Sequence, residues 1–550
     1  MRTTGFLFVA VLLLTAAPQN AQTQLSAAID MRTAAEAGLF APANGDRLVL
    51  RGVFNGWEGD AYRLSDPDGD GIWTGSWPLA EPVPGPLEFK SVIVRGDGRI
   101  IWEERPNPAN PPYGNRIAAP DPAPTPFDLS PYLIDAAHRF TPAQLREDFD
   151  GFRRTIENLH PALYAVTPKP VFDRRLDAAA AALDHPMDVT EFRRHLAPLM
   201  AAIGCGHSSL WMPPPWWQAV PERWFPLAVA VTDEGLYTIR HLSDSLAVSP
   251  GRRITAINGI SAAVLRDTLL SGISGDGGNC AYRTDVLERR FADYLALHLG
   301  FPERFRITME ATGSAPSSTL DLAPVPRAAV EAARTVPPRR SLEILPDAAV
   351  LTLNHFNYYH DRDNFTAFLA ESFAAIKASG ASALILDLRD NNGGDPYSAA
   401  ELLRYLIARP TPYWAEPYPH MEALAEPLPP TADRFAGTVL TLINGRCFST
   451  TGHLLALLRH HGIGKFVGTE SGGTFQCHDA KIQVPLPNTG LILQVAQRRF
   501  AVAVAPMPIE RGIRPDRTVR PTPADRAAGR DTVREAALAL VRTGDGGEAP

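Results

Sequence analysis

The sequence predicts a multidomain α/β protein, and three observations carry that prediction. From residue 348 to 516 apolar strands alternate with helical stretches, the pattern of a mainly parallel sheet with crossover helices. Residues 30–120 hold short apolar runs separated by Asn-Gly, Asp-Gly and Pro-Gly turn signals, as in an all-β module. From Thr141 the apolar residues recur every three and four positions, which marks a helical stretch between the two. A chain of 550 residues has room for three or four domains at roughly 150 residues each.

Composition narrows the function. Hydrophobic residues make up 45% and charged residues 21%, which excludes a largely disordered chain. The net charge is -7, from 53 Lys+Arg against 60 Asp+Glu, with no basic block, so neither nucleic acid nor an anionic membrane is an expected partner. The 51 prolines, about twice average usage, make the connections stiff. Four cysteines form no dense disulfide scaffold and no C-x-x-C pair of a zinc or thioredoxin motif.

Along the chain, Met1-Arg2, an apolar run from Phe6 to Leu14 and small or polar residues through Ala21 read as a signal peptide over 1–21. The run is too short for a bilayer core of about 30 Å, so no membrane span is expected after cleavage. The mature protein is then expected in the periplasm or secreted, where disulfides are allowed. Cys205, Cys280, Cys447 and Cys477 could pair there, Cys447 with Cys477 first; four buried free thiols are the alternative.

Leu48-Val49-Leu50 and residues 89–94 are strand candidates within 30–120, and the Pro-dense stretch after it reads as a linker over 121–139. Leu145, Phe149, Phe152, Ile156 and Leu159 share one helix face, opened by Thr141-Pro142 as cap and first-turn proline. Further helices are predicted over 171–183 and 189–203, which makes 140–220 a helical segment. Residues 221–325 read as short strands with turns, 340–525 as the alternating domain, and 526–550 as a C-terminal helix and tail.

The sharpest local signals lie in the alternating domain. Strand 383–388 (ALILDL) runs into Arg389-Asp390-Asn391-Asn392-Gly393-Gly394 and then a helix with Ala399, Leu402, Leu403 and Leu406. Strand 438–443 (TVLTLI) leads through residues 444–448 to Ser449-Thr450-Thr451 and a second helix ending near His460. If these strands are parallel neighbours, both loops reach the sheet edge where open α/β folds place ligands. Paired glycines let backbone N–H groups approach a substrate oxygen, and equally make a tight turn. Ser449 at a helix start is a candidate nucleophile and equally a candidate N-cap. Spacing alone does not decide between these.

LILDLRDNNGG, INGRCFSTTGHLLALL and VGTESGG, with IGCGHS (203–208) upstream and GIRPD (512–516) downstream, form an ordered set over roughly 140–520. That set resembles the tail-specific (C-terminal processing) and tricorn-like serine peptidase family. The resemblance implies a spiral, crotonase/ClpP-like α/β catalytic domain with a helical leading segment and a PDZ-like insertion, here 221–325, where GRRITAING (251–259) resembles a PDZ strand and turn. One branch of the family uses a Lys near the VGxxxxG segment; residues 467–474 hold none, and Lys465 and Lys481 lie outside the slot. The other branch uses a His in the position of His207. The resemblance therefore implies Ser449 as nucleophile and His207 as base, because a serine hydroxyl needs a base within hydrogen-bond reach. Carried over with them are Ser208 and Glu510 as groups that orient the imidazole, and an oxyanion hole from the N–H of Thr450 and of Gly393 or Gly394. His453, one helical turn after Ser449, is the rival base. The family often has an acidic residue three positions after the serine, where this chain has Gly452. No cofactor and no metal are implied; the implied partner is a peptide or protein substrate.

VFNGW (53–57), LSDPDGDGIW (64–73), LEFK (87–90) and Trp102 resemble the β-sandwich of starch- and glycogen-binding modules, with Trp57, Trp73 and Trp102 as candidates to stack on a glucan. A mute spacer with core tryptophans is the alternative. Asp66, Asp68, Asp70 and Gly71 match the start of a calcium loop, but Trp77 stands where the closing Glu belongs, so a hairpin turn is expected. Trp211, Trp216, Trp217 and Trp224 either wall the cleft or pack on the insertion. Two other functions stay open: a catalytically degenerate protein binding glucans or small apolar ligands, and an esterase using the same serine.

Overall fold

The computed structural model describes residues 24–36, 39–78, 88–103, 116–117, 127–128, 138–213, 216–217, 220–243, 248–311, 316–334 and 340–544. The expected signal peptide, most of the expected linker and residues 545–550 of the tail lie outside them. Among the described residues no helix is long and apolar enough to cross a membrane. The chain divides into two units at Asp135/Ala136.

In the first unit, Gln24–Asp30 pairs antiparallel with Ile72–Pro78 and, over two residues, parallel with Phe127–Asp128. Arg47–Gly52, Glu88–Val94 and Ile100–Trp102 make a second, antiparallel sheet. Both contribute to one core that holds Leu25, Ile29, Leu48, Leu50 and Ile93. Trp73 packs edge-on against Phe40 at 5.0 Å, and Arg51 lies over Trp102. The Asp66–Asp70 turn spends its carboxylates on its own backbone: Asp66 accepts from the N–H of Gly69 and Gly71, and Asp70 from Ile72.

The larger unit begins with helix Pro142–Leu159, capped by Thr141 in a capping box with Gln144. Lys169–Ala181 and Val189–Ala202 follow. The central sheet runs in chain order: Arg340–Ile344, then Ala349–Leu353, Ala383–Asp387, Thr438–Ile443, Lys465–Gly468 and Arg517–Thr518, parallel after the first pair. Alternate side chains face opposite ways. Leu351, Leu384 and Leu386 meet helices Arg362–Ser379, Pro396–Arg404 and Thr450–His460, whereas Val350, Ile385 and Leu440 meet the C-terminal helix Thr532–Thr543.

Between them, Leu227–Thr232, Gly235–His241, Arg253–Ile257, Phe305–Met309 and Ser318–Leu322 form an antiparallel sheet. The expectation of strands and turns alone is corrected by three helices, Ala262–Ser271, Cys280–Arg289 and Phe291–Leu299. The turn-rich run SGISGDGGN (271–279) interrupts their periodicity, yet Asn279 in it caps the second helix, accepting from Ala281 N–H at 2.8 Å. Trp216 and Trp224 are buried and pack on Phe301 of this region. The cysteine expectation is corrected as well. All four are free thiols, and Cys280 is exposed. Cys447 Sγ donates instead to the Leu388 carbonyl at 3.0 Å, so Cys477 is not its partner.

Candidate active site

The two glycine- and serine-bearing loops leave neighbouring parallel strands, with Asp387 opposite Leu442 in register, and so meet at one sheet edge. Asn391, fully buried, ties them together. Its Oδ1 accepts from Gly393 N–H at 3.0 Å and from Thr451 Oγ1 at 2.7 Å, its Nδ2 donates to the Leu353 carbonyl, and its own carbonyl accepts from Phe448 N–H. Gly393, at φ +89°, lies so close to the serine turn that a Cβ there would stand 2.8 Å from both the Phe448 oxygen and the Ser449 Cβ.

Ser449 occupies the N-cap position of helix Thr450–His460, but its side chain makes no cap hydrogen bond. Its backbone sits at φ 55°, ψ -128°, a conformation that L-residues adopt only where the surroundings force it. This is a strained strand-to-helix turn that holds the hydroxyl clear of the helix, as in a nucleophile elbow. The hydroxyl oxygen lies 3.0 Å from His207 Nε2, across 242 residues of sequence.

His207 is delivered by a short sheet. Ser209–Trp211 pairs with Ile492–Val495, which pairs with Ile482–Pro485. Gln494 Nε2 donates to the His207 carbonyl, and Asp148 of the leading helix holds the hairpin turn by accepting from Thr489 and Asn488. The imidazole is 7% exposed and stacks on Phe448, which in turn stacks on Tyr282 of helix Cys280–Arg289. Burial drives the imidazole down to about 4, against the opposing pull of the Asp479 carboxylate, so the ring is neutral near pH 7.

Ser208 and Glu510 are not brought to that ring. The Ser208 hydroxyl accepts from Ala496 N–H, and Glu510 is exposed. Among the described residues His207 Nδ1 has no hydrogen-bond partner. His453 is also turned away: it packs edge-on against Trp414 at 5.5 Å, and burial holds it down to about 3. Of the backbone donors, Gly393 N–H is taken by Asn391; among the described residues no hydrogen bond engages Thr450 N–H or Gly394 N–H. Thr450 Oγ1 donates to the Gly394 carbonyl at 2.7 Å and locks the two donors' loops together.

Residues 347–519 match the family model of Peptidase family S41. The chain is a serine peptidase whose segment 347–519 is similar to family S41. Among solved structures, mature CPAF is similar at 13% identity and a TM-score of 0.54, covering 74% of this chain and 99% of that one. Mature CPAF complexed with lactacystin is similar at 12% identity and a TM-score of 0.54, covering 73% and 99%. At such identities the likeness is one of fold. No curated protein matches the sequence.

The matched segment of the peptidase contains Ser449 but begins well after His207, so the long-range pairing is what completes the site. Two of its residues escaped the sequence reading. Asp479, at the end of strand Gln476–Asp479, puts Oδ2 3.7 Å from His207 Nε2 and pairs with Lys481 at 2.9 Å. Burial alone would raise its carboxyl, but its interactions with His207 and Lys481 hold it below the usual range. No local motif surrounds it. Asn391 did have a signal, its place between the strand end and the glycine pair.

Gly452, where an acidic residue was expected, also has a steric reason. A Cβ there would come 2.6 Å from the backbone carbon of Gly473. Helix and VGTESGG loop touch through two glycines, and no larger residue fits.

Proposed function

We propose that this peptidase is an exported, tail-specific endopeptidase that cleaves peptide or protein chains through an acyl-enzyme on Ser449. The observation that carries this is the 3.0 Å contact between His207 Nε2 and a Ser449 hydroxyl that does not cap its own helix. Ser449 Oγ bonds to the peptide carbonyl carbon as its proton passes to Nε2. The carbonyl oxygen becomes an oxyanion, received by Thr450 N–H, at the positive end of its helix, and by Gly394 N–H. The imidazolium, favoured by Asp479, then protonates the leaving amine; water, deprotonated by His207, releases the acyl group. The antiparallel sheet at 227–322 serves in this scheme as a PDZ-like insertion. Its helix Cys280–Arg289 braces the catalytic turn through Tyr282, and Asn279 Nδ2 donates to the Ser471 and Gly472 carbonyls. The N-terminal unit enters as a β-sandwich module in which Trp57, rather than the core-packed Trp73 and Trp102, would meet a glucan.

Intact mass after incubation with a fluorophosphonate tests the assignment. Wild type should gain one adduct, Ser449→Ala none, and His207→Ala should react at least about a hundredfold more slowly. Casein and peptide hydrolysis should fall in parallel. Equal hydrolysis by Ser449→Ala and wild type would overturn the proposal. An absent adduct on folded wild type would favour a binding protein, and turnover of p-nitrophenyl esters without peptides an esterase.

A further inference from the structure

Beside the catalytic turn, but not opening onto Ser449, lies a cavity of about 240 Å³ whose wall includes His160, Gly204, Asp276, Cys477, His478 and Arg499. Three potential metal-binding atoms, from His160, Cys205 and His478, converge here within 4.8 Å of one another. They come from three separate elements: the C-cap of the leading helix, the turn after helix Val189–Ala202, and strand Gln476–Asp479. His160 is 6% and Cys205 1% exposed. Among the described residues His160 Nε2 is buried without a hydrogen-bond partner, and so is Oδ2 of Asp276, which also lines the cavity. Buried polar atoms are normally satisfied, so two orphans on residues that line one cavity point to something that binds there.

We propose that His160, Cys205 and His478 form a site for a borderline-soft divalent cation of the zinc class, with its fourth position open to the cavity. Two imidazoles and a thiolate are the donor set that zinc prefers and that calcium or magnesium, which want oxygen ligands, do not. On binding, Cys205 gives its thiol proton to solvent. Ligation through Nε2 of His160 moves the ring proton to Nδ1, so the 3.2 Å contact now accepted from Ala162 N–H is given up in exchange for the metal bond. The ion would fasten the turn carrying His207, two residues after Cys205, to the strand carrying Asp479, one residue after His478. It therefore supports the catalytic groups without touching substrate.

The test uses the full chain with Cys280→Ser, which removes the exposed thiol. Zinc retained after gel filtration, and the thiolate-to-cobalt charge-transfer band after Co²⁺ loading, are read beside thermal unfolding. About one ion per chain is expected, with affinity at least about a hundredfold lower in Cys205→Ser and in His160→Gln, and unchanged in Cys477→Ser. Should Cys205→Ser fail to fold, His160→Gln carries the comparison. Absence of both zinc and the cobalt band on folded protein, binding indifferent to Cys205 and His160, or a Cys205–Cys477 disulfide in the purified protein would each overturn the site.

Discussion

Replacing Gly393 by alanine probes the closest contact in the active site. The residue stands at φ +89°, where a side chain costs about 1–3 kcal/mol. The new methyl would lie 2.8 Å from the Phe448 oxygen, 2.8 Å from the Ser449 Cβ and 2.9 Å from the Thr450 nitrogen. None of these is the free end of a flexible side chain, so the serine turn itself must shift by roughly half an ångström to restore van der Waals distance. That displaces the nucleophile from His207 and the Thr450 N–H from the oxyanion at once. A misplacement approaching 1 Å costs about a hundredfold, and one lost oxyanion donor about 10²–10³, or about 2.7–4 kcal/mol. The expected result is a kcat/KM lower by about 10²–10³ and a fluorophosphonate reaction slowed similarly. Circular dichroism at 25 °C should show a folded protein with a lowered midpoint. A folded Gly393→Ala enzyme within threefold of wild type would refute the tight apposition of the two loops.

Gly452→Ala reverses the usual sign of a helix substitution. Alanine normally gains about 1 kcal/mol over glycine inside a helix, but here its methyl meets the Gly473 backbone at 2.6–2.7 Å, so a loss of about 1–3 kcal/mol is expected in urea unfolding. Asp479→Asn removes the carboxylate 3.7 Å from His207 Nε2, and kcat/KM should fall about tenfold, or about 1.4 kcal/mol, with little change in KM. Asp531 tests the C-terminal helix. Burial alone would raise its carboxyl, but Arg389, at 2.6 and 2.7 Å, holds it below the usual range. A depressed carboxyl stabilises the fold above its ordinary value of about 4, and that stability is lost as pH falls through the folded value. Thermal melts of wild type and Asp531→Asn should differ by about 1 kcal/mol at pH 7, and the difference should vanish as pH falls through the lowered folded value.

Sequence alone determined the features that short-range physics controls. The alternating strands and helices of the central sheet follow from periodicity, the leading helix from Thr141-Pro142 and its apolar stripe, and the two catalytic loops from their place at strand ends. Ser449 stood out for the same reason, yet its local signal fits a cap as well as a nucleophile. Only in the tertiary structure do the two differ: the hydroxyl makes no cap bond and lies against His207, which supports the proposed nucleophile. The choice of His207 over His453 is likewise a matter of packing: one ring is carried in by a hairpin far along the chain, while the other is sealed against Trp414. Asp479, the brace from helix Cys280–Arg289 and the need for glycine at 452 were invisible along the chain, because each is set by what a distant segment brings into contact. The free cysteines have the same origin: with Cys447 bonded to the Leu388 carbonyl, redox context says nothing about which sulfurs can meet. Propensities and caps act within a few residues, whereas an active site is an agreement among segments that only the folded core holds in register.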